Sequence, residues 1–220
     1  MSRRAEDDPL QIGGVILAAG EARRFGAQKL LALLDGRPLL QHVIDAANES
    51  SLEEIVVVLG ADAEAVAAGV HPGRARLVRN DDYASGMASS LQTGLRALDP
   101  RNHAALVLLG DMPRVTATLI GELIARGNKT RATAVISVWR GRRSPPVVLH
   151  RSLWPAAFEL SGDVGMREVL GPRADVLELT VTDELGSLED IDTPEDHGRL
   201  RVGGDAPIAS RHSDPRSSAQ

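Results

Sequence analysis

The 220-residue chain predicts a doubly wound α/β domain, with a single, mostly parallel sheet and helices on both faces. Three observations carry that expectation. Six apolar runs recur along the chain, separated by segments of helical character. Most of these runs are continuously apolar rather than alternating, as parallel strands covered on both sides require. The small, basic and acidic residues that could do chemistry stand directly after the runs, and open α/β sheets bind ligands at the carboxyl ends of their strands.

In order, the expected strands are GGVILAA at 13–19, EIVVVLG at 54–60, ARLVRN at 75–80, AALVLLG at 104–110, ATAVISVW at 132–139 and ADVLELTV at 174–181. Helices are expected over 38–48, 62–68, 89–98, 116–126, 164–170 and 194–200. One domain is expected over 12–201. The polar start, 1–11, and the Gly-, Pro-, Ser- and charge-rich end, 202–220, are expected to be disordered tails. No repeat at solenoid periods is present.

Composition narrows the function. A hydrophobic fraction of 43% is ample for a core, while aromatics at 2% leave little for stacking nucleobases on a protein surface. A net charge of -5 argues against partners such as nucleic acid or an anionic membrane, so phosphate binding would need a local positive cluster. The absence of cysteine excludes disulfides, thiol nucleophiles and cysteine-held metals. MSRRAEDDPLQ has no apolar core of a secretory signal, and no run approaches the roughly 20 residues of a membrane span; a cytoplasmic protein is expected.

Four strand ends carry candidate chemistry. After the first run, Leu17, Ala18, Ala19 and Gly20 let backbone approach a ligand closely, with Gly20 free to take positive φ in a tight turn. Successive N–H groups there would form an anion-binding concavity, and Arg24 and Lys29 would add positive charge. The stretch is neither a Walker A loop nor a G-x-G-x-x-G fingerprint, and alone it also describes a basic surface turn. After the third run come Asn80, Gly86 and the pair Ser89–Ser90, which is expected to open a helix; the serines could bind a base edge or phosphate, or simply cap. After the fourth run, Gly110 and Asp111 precede Pro113, and a carboxylate at that point suits Mg²⁺. Near the end, Asp190 and Asp192 precede Thr193-Pro194-Glu195, which reads as a helix start; the two aspartates are left as candidates for a second metal ligand.

Two further stretches could face an acceptor. WRGRRSPPVVLH carries Arg140, Arg142 and Arg143, then Pro145 and Pro146; LSGDVGMREVL carries Gly162, Asp163 and Gly165 before a helix with Arg167. Each also reads as an ordinary loop. The six histidines show no metal-ligand spacing and are expected at the surface or as caps.

Taken together, LAAGEARRFGAQKLL, GMASSLQTGL, LLGDMP, GRRSPPVVL, LSGDVGMREVL and DIDTPED, in this order, resemble the molybdenum cofactor nucleotidyltransferases of the nucleotide-diphospho-sugar transferase superfamily. Ala-Ala-Gly in the first loop and Gly-Asp-Met-Pro in the fourth are closer to the cytidylyltransferase branch than to the guanylyltransferase branch, which typically has Ala-Gly-Gly. The resemblance covers about 13–200. It implies a Rossmann-like fold and Mg²⁺-dependent transfer of CMP from CTP to molybdopterin, with release of pyrophosphate and delivery to a client molybdoenzyme. It implies catalytic roles for Arg24, Lys29 and Asp111, and metal binding by Asp111 with Asp190 or Asp192. Nucleotide binding would fall to Leu17, Ala18, Ala19, Gly20, Arg24, Lys29, Asn80, Gly86, Ser89, Ser90 and Gly110, and the acceptor side to Pro146, Gly162, Asp163 and Gly165. Met166 stands where the pattern usually has Ala, and Ser144–Pro145 replace a Gly and its neighbour; both departures are on the acceptor side. Other readings use the same loops: guanylyl or adenylyl transfer, cytidylyl transfer to another phosphorylated acceptor, a non-catalytic cofactor chaperone, or an oxidoreductase.

Overall fold

The computed structural model describes residues 9–20, 28–130, 132–171, 173, 175–191, 193 and 195–198. The elements are β1 (Ile12–Ala18), β2 (Leu33–Leu34), β3 (Arg37–Pro38), α1 (Leu39–Glu49), β4 (Ile55–Leu59), α2 (Ala63–Gly69), β5 (Arg76–Arg79), α3 (Met87–Ala97), β6 (Ala104–Leu109), α4 (Ala117–Lys129), β7 (Ala134–Trp139), β8 (Arg142–His150), α5 (Trp154–Phe158), α6 (Met166–Leu170) and β9 (Val176–Thr180). Leu10 and Gln11, expected in the leading tail, are already tied down: Leu10 N donates to Asn128 Oδ1 at 2.8 Å and Gln11 N to His103 Nδ1 at 3.1 Å.

Seven strands form one sheet in the order β5-β4-β1-β6-β8-β7-β9. Every neighbouring pair is parallel except those made by β8, which runs antiparallel to both β6 and β7. The apolar runs are continuous because alternate residues feed two cores. From β6, Ala104, Leu106 and Leu108 join α1, α2 and α4 on one face; Ala105 and Val107 join α3, α5 and α6 on the other. No described helix is long and apolar enough to cross a membrane.

β1 lies between β4 and β6, and the chain leaves it toward β4 and β5 before crossing back to β6. That reversal opens a crevice at the carboxyl ends of β1 and β6, the place where open sheets hold ligands.

The stretch read as an acceptor-facing loop, WRGRRSPPVVLH, is a correction. Residues 142–150 are strand β8, joined to β7 by the two-residue turn Arg140–Gly141 with φ of 49° and 75°. Positive φ at both positions suits a tight antiparallel hairpin. The prolines fit because the ladder skips them: Ile136 pairs with Val147 but Ser137 pairs with Ser144, so Pro145 and Pro146 bulge out.

Candidate active site

The site is built where β1, β5 and β6 end. Leaving β1, Ala18 and Ala19 are buried and Gly20 is exposed. Gly20 does not use its freedom to take a positive φ. Among the described residues, a Cβ there would meet nothing within 4 Å. Leu17 O accepts from Gly110 N at 2.9 Å and Ala19 O from Ala61 N at 3.3 Å. These groups of Leu17, Ala19 and Gly110 hold β1 to its neighbours. Arg24 lies outside the described residues.

The chain re-enters at Gln28, and Lys29 starts a short 3-10 turn, Lys29–Leu31. Gln28 was not singled out in the sequence, yet it clamps this turn. Its Oε1 accepts from Leu30 N at 3.3 Å and its Nε2 donates to Asp62 Oδ2 at 3.2 Å. A polar residue directly before the basic one was the available signal.

Lys29 Nζ meets Asp111 Oδ2 at 2.7 Å, with side chains 13% and 22% exposed. The pair joins residues 82 positions apart in sequence, because β1 and β6 are neighbours. Asp111 Oδ1 is buried and makes no hydrogen bond. A half-satisfied carboxylate of this kind is costly unless something else binds it.

The segment that carries Asp190 is laced across the end of β6. Thr116 Oγ1 donates to Leu185 O at 2.6 Å, Ser187 N to Arg114 O at 3.3 Å, and Ile191 N to Asp111 O at 3.2 Å. Asp190 is therefore one residue from a backbone bond to Asp111, and its side chain is exposed. Asp192 lies outside the described residues. Thr193 caps the following turn, exchanging bonds with Asp196: its Oγ1 accepts from Asp196 N at 3.2 Å and donates to Asp196 Oδ2 at 2.8 Å.

Among the described residues no three His, Asp or Glu side chains cluster as a metal cage. Mg²⁺ does not require one, since it commonly takes one or two carboxylates and completes its shell with water and phosphate oxygens. The orphaned Oδ1 of Asp111, with Asp190 nearby, fits that donor set.

After β5, the expected nucleotide residues form a closed network. Asn80 is buried; its Nδ2 donates to Ser89 Oγ at 2.9 Å and Ser90 Oγ at 3.0 Å, and its Oδ1 accepts from Asp82 N at 3.0 Å. The serines do not open the helix: α3 starts at Met87, and Gly86 holds the cap position with no side-chain cap bond. The physical reason is that Ser89 Oγ turns back to Asp82 O and Gly86 O, both at 2.9 Å, which pins the preceding loop. Gly86 has φ 113°, and a Cβ on it would stand 2.2 Å from the Gly162 carbonyl carbon. Ala88 N donates to Gly162 O at 3.2 Å. The loop expected to read the base thus touches the loop expected on the acceptor side.

Beside them lies a cleft of about 430 Å³ lined mainly by apolar side chains, among them Leu17, Met87, Leu109, Pro145 and Met166, with Arg143, Ser144, Asp163 and Glu168 as polar members. Gly165 also lines it; Pro146 sits behind the wall, buried. Arg143 is engaged by Glu178 Oε1 at 2.7 Å and Gly171 O at 3.1 Å. The described histidines mostly hold structure, as His42 Nε2 does against Leu34 O at 2.8 Å.

This architecture has known counterparts. The family model described as MobA-like NTP transferase domain matches residues 14–177. Nicotine blue oxidoreductase of Paenarthrobacter nicotinovorans is 35% identical over 196 residues, covering 86% of this chain and 96% of its own. The crystal structure of the Rv0371c homologue from Mycobacterium sp. strain JC1 is 31% identical with a TM-score of 0.78, covering 88% of this chain and 96% of that one. Rv0371c of Mycobacterium tuberculosis in complex with manganese is 27% identical with a TM-score of 0.75, covering 87% and 98%.

Proposed function

The chain belongs to the MobA-like NTP transferase family, and from that premise we propose that it transfers CMP from CTP to a molybdopterin-type phosphate acceptor. The observation that carries the reading is the Lys29–Asp111 pair at 2.7 Å, with one carboxylate oxygen left unpartnered, at the crevice between β1 and β6. It joins a cation suited to a triphosphate and a carboxylate suited to a divalent metal in one place. The preference for CTP and the molybdopterin acceptor rests on the loop sequences, Ala-Ala-Gly and Gly-Asp-Met-Pro.

In this reaction a terminal phosphate oxygen of the acceptor attacks the α-phosphorus of CTP. A new phosphorus–oxygen bond forms, the bond from the α-phosphorus to the oxygen bridging to the β-phosphate breaks, and pyrophosphate leaves with the electron pair. No protein nucleophile is needed, so this chain's residues contribute position and charge. Lys29, with Arg24, would take up charge on the departing pyrophosphate. Asp111 and Asp190 would hold Mg²⁺, which supplies charge neutralisation at the α-phosphate when bound. The manganese complex of the 27%-identical Rv0371c supports a divalent ion in a protein of this fold.

The test is pyrophosphate release by the full chain with CTP, GTP or ATP and molybdopterin. Release with CTP well above the other two is expected; a preference for GTP or ATP overturns the nucleotide assignment. A second reading, oxidoreduction, is favoured by the name of the 35%-identical relative. The chain lacks the glycine-rich dinucleotide fingerprint, and oxidation of NADH or NADPH coupled to a reducible substrate, without any pyrophosphate release, would establish it instead.

A further inference from the structure

The wall of the cleft depends on a residue that no motif points to. β8 pairs with β6 only from His150 back to Val147, opposite Ala104 to Val107. Beyond that point Leu109 of β6 and Pro145 of β8 both line the cleft rather than facing each other across a ladder. The cleft is the gap left where β8 departs from β6, and the departure coincides with the two-residue bulge at Pro145–Pro146.

A bulge in a buried strand leaves backbone groups without ladder partners. Pro146 is buried at this bulge, and its carbonyl takes a side-chain hydrogen bond. The partner is Ser137: its side chain is fully buried, at 0% exposure, and its Oγ donates to Pro146 O at 2.8 Å. Ser137 is also the first β7 residue past the register shift, opposite Ser144. It is the one buried polar side chain among the apolar residues Ala134, Val135 and Ile136 of β7. A hydroxyl in that position is difficult to explain by packing alone, since alanine or valine would fill a strand core without a polar group.

We propose that Ser137 is a positioning residue for the acceptor: its hydroxyl holds the Pro145–Pro146 bulge and so keeps the cleft wall in place. This rests on the reading of the cleft as the acceptor side of a nucleotidyltransferase. Removing the hydroxyl takes away the side-chain hydrogen bond that ties the buried Pro146 carbonyl to β7, and the wall shifts. The Lys29–Asp111 pair is carried by the ends of β1 and β6 rather than by the bulge, so its geometry is expected to be kept.

The experiment compares Ser137→Ala and Ser137→Thr with the parent full-length chain. Pyrophosphate release is measured at saturating CTP with molybdopterin varied, CTP binding is measured by calorimetry, and hydrogen exchange is followed over peptides spanning 142–150. For Ser137→Ala the acceptor KM is expected to rise about tenfold or more, with CTP affinity within about twofold and faster exchange confined to the bulge; Ser137→Thr, which keeps a hydroxyl, restores the KM. A lowered melting temperature with both substrate constants unchanged overturns the proposal. So does unchanged exchange over 142–150. If the parent chain uses no acceptor at all while exchange responds as expected, the functional reading fails and the hold of Ser137 on the bulge stands.

Discussion

β6 and β8 are neighbours in the sheet, but they build their two sides of the site differently. β6 runs parallel to β1, six residues, five of them buried, ending in Gly110 and Asp111, and delivers one carboxylate to a cation from the turn that follows β1. β8 runs against its neighbours and bulges at two prolines, and it contributes mainly a shape. The difference teaches where each kind of specificity comes from. Charge chemistry needs a rigid, regular end that holds a side chain in place, whereas an acceptor cleft needs the sheet to part.

The largest effect should come from breaking the β6 side. Asp111→Ala is expected to lower turnover by about 10²–10³, the loss typical of removing one group that stabilises transition-state charge, with an unchanged far-UV circular dichroism spectrum. Full metal-dependent activity in this variant would remove Asp111 from the metal site. Lys29→Gln sharpens the point because its two expected effects have opposite signs. Turnover should fall comparably, yet Mn²⁺ affinity of the nucleotide-free protein, read by electron paramagnetic resonance, should rise, since Lys29 no longer competes for Asp111 Oδ2.

A smaller effect is expected where the two sides touch. Gly86→Ala places a side chain at φ 113° and 2.2 Å from the Gly162 carbonyl carbon, so backbone must move. The strain is worth about 1–3 kcal/mol, visible as a lower melting temperature. Because the Gly86 and Gly162 loops separate together, the KM values for nucleotide and acceptor should rise together. A change in only one of them would show that the loops act independently.

The same contrast governs what the sequence disclosed. The regular half was legible: continuous apolar runs followed by Gly, Asp or small residues identified β1, β4 and β6 and put Lys29 and Asp111 in one site, though their direct pairing across 82 residues came only with the fold. β8 was not, because prolines argue against a central strand unless a bulge sets them aside, and a bulge is a tertiary event with no local period. The hairpin turn at Arg140–Gly141 was its one local trace. Asn80 was legible as important, but its role was not: its amide serves Ser89 and Ser90, and only the fold shows that those side chains face it. Gln28 was missed for the same reason, as its clamp depends on Asp62 from a different loop.

The smallest expected effect lies at the regular end of β8, far along the strand from the bulge. His150 pairs there with Ala104, and its Nδ1 accepts from Ser152 N at 3.3 Å to cap the turn that follows. Burial, and secondarily the charge of His103, lowers its pKa below the ordinary 6.5. The folded chain therefore holds the neutral ring, the form that keeps a lone pair on Nδ1 for the cap. Its contribution to stability is fully present above pH 6.5, the unfolded value, and is lost as pH falls from there through the lower folded value. Urea unfolding at a series of pH values should show this slope in the parent chain and a shallower one in His150→Gln, which cannot take up the proton. If the slope is identical in the two proteins, another group carries it. At pH 7.5 the variant should keep the parent's acceptor KM, since this end of β8 is paired to β6 and takes no part in the gap. A raised acceptor KM would mean that the regular and the bulged ends of β8 are mechanically coupled, and the division between a rigid end and a parted one would have to be redrawn.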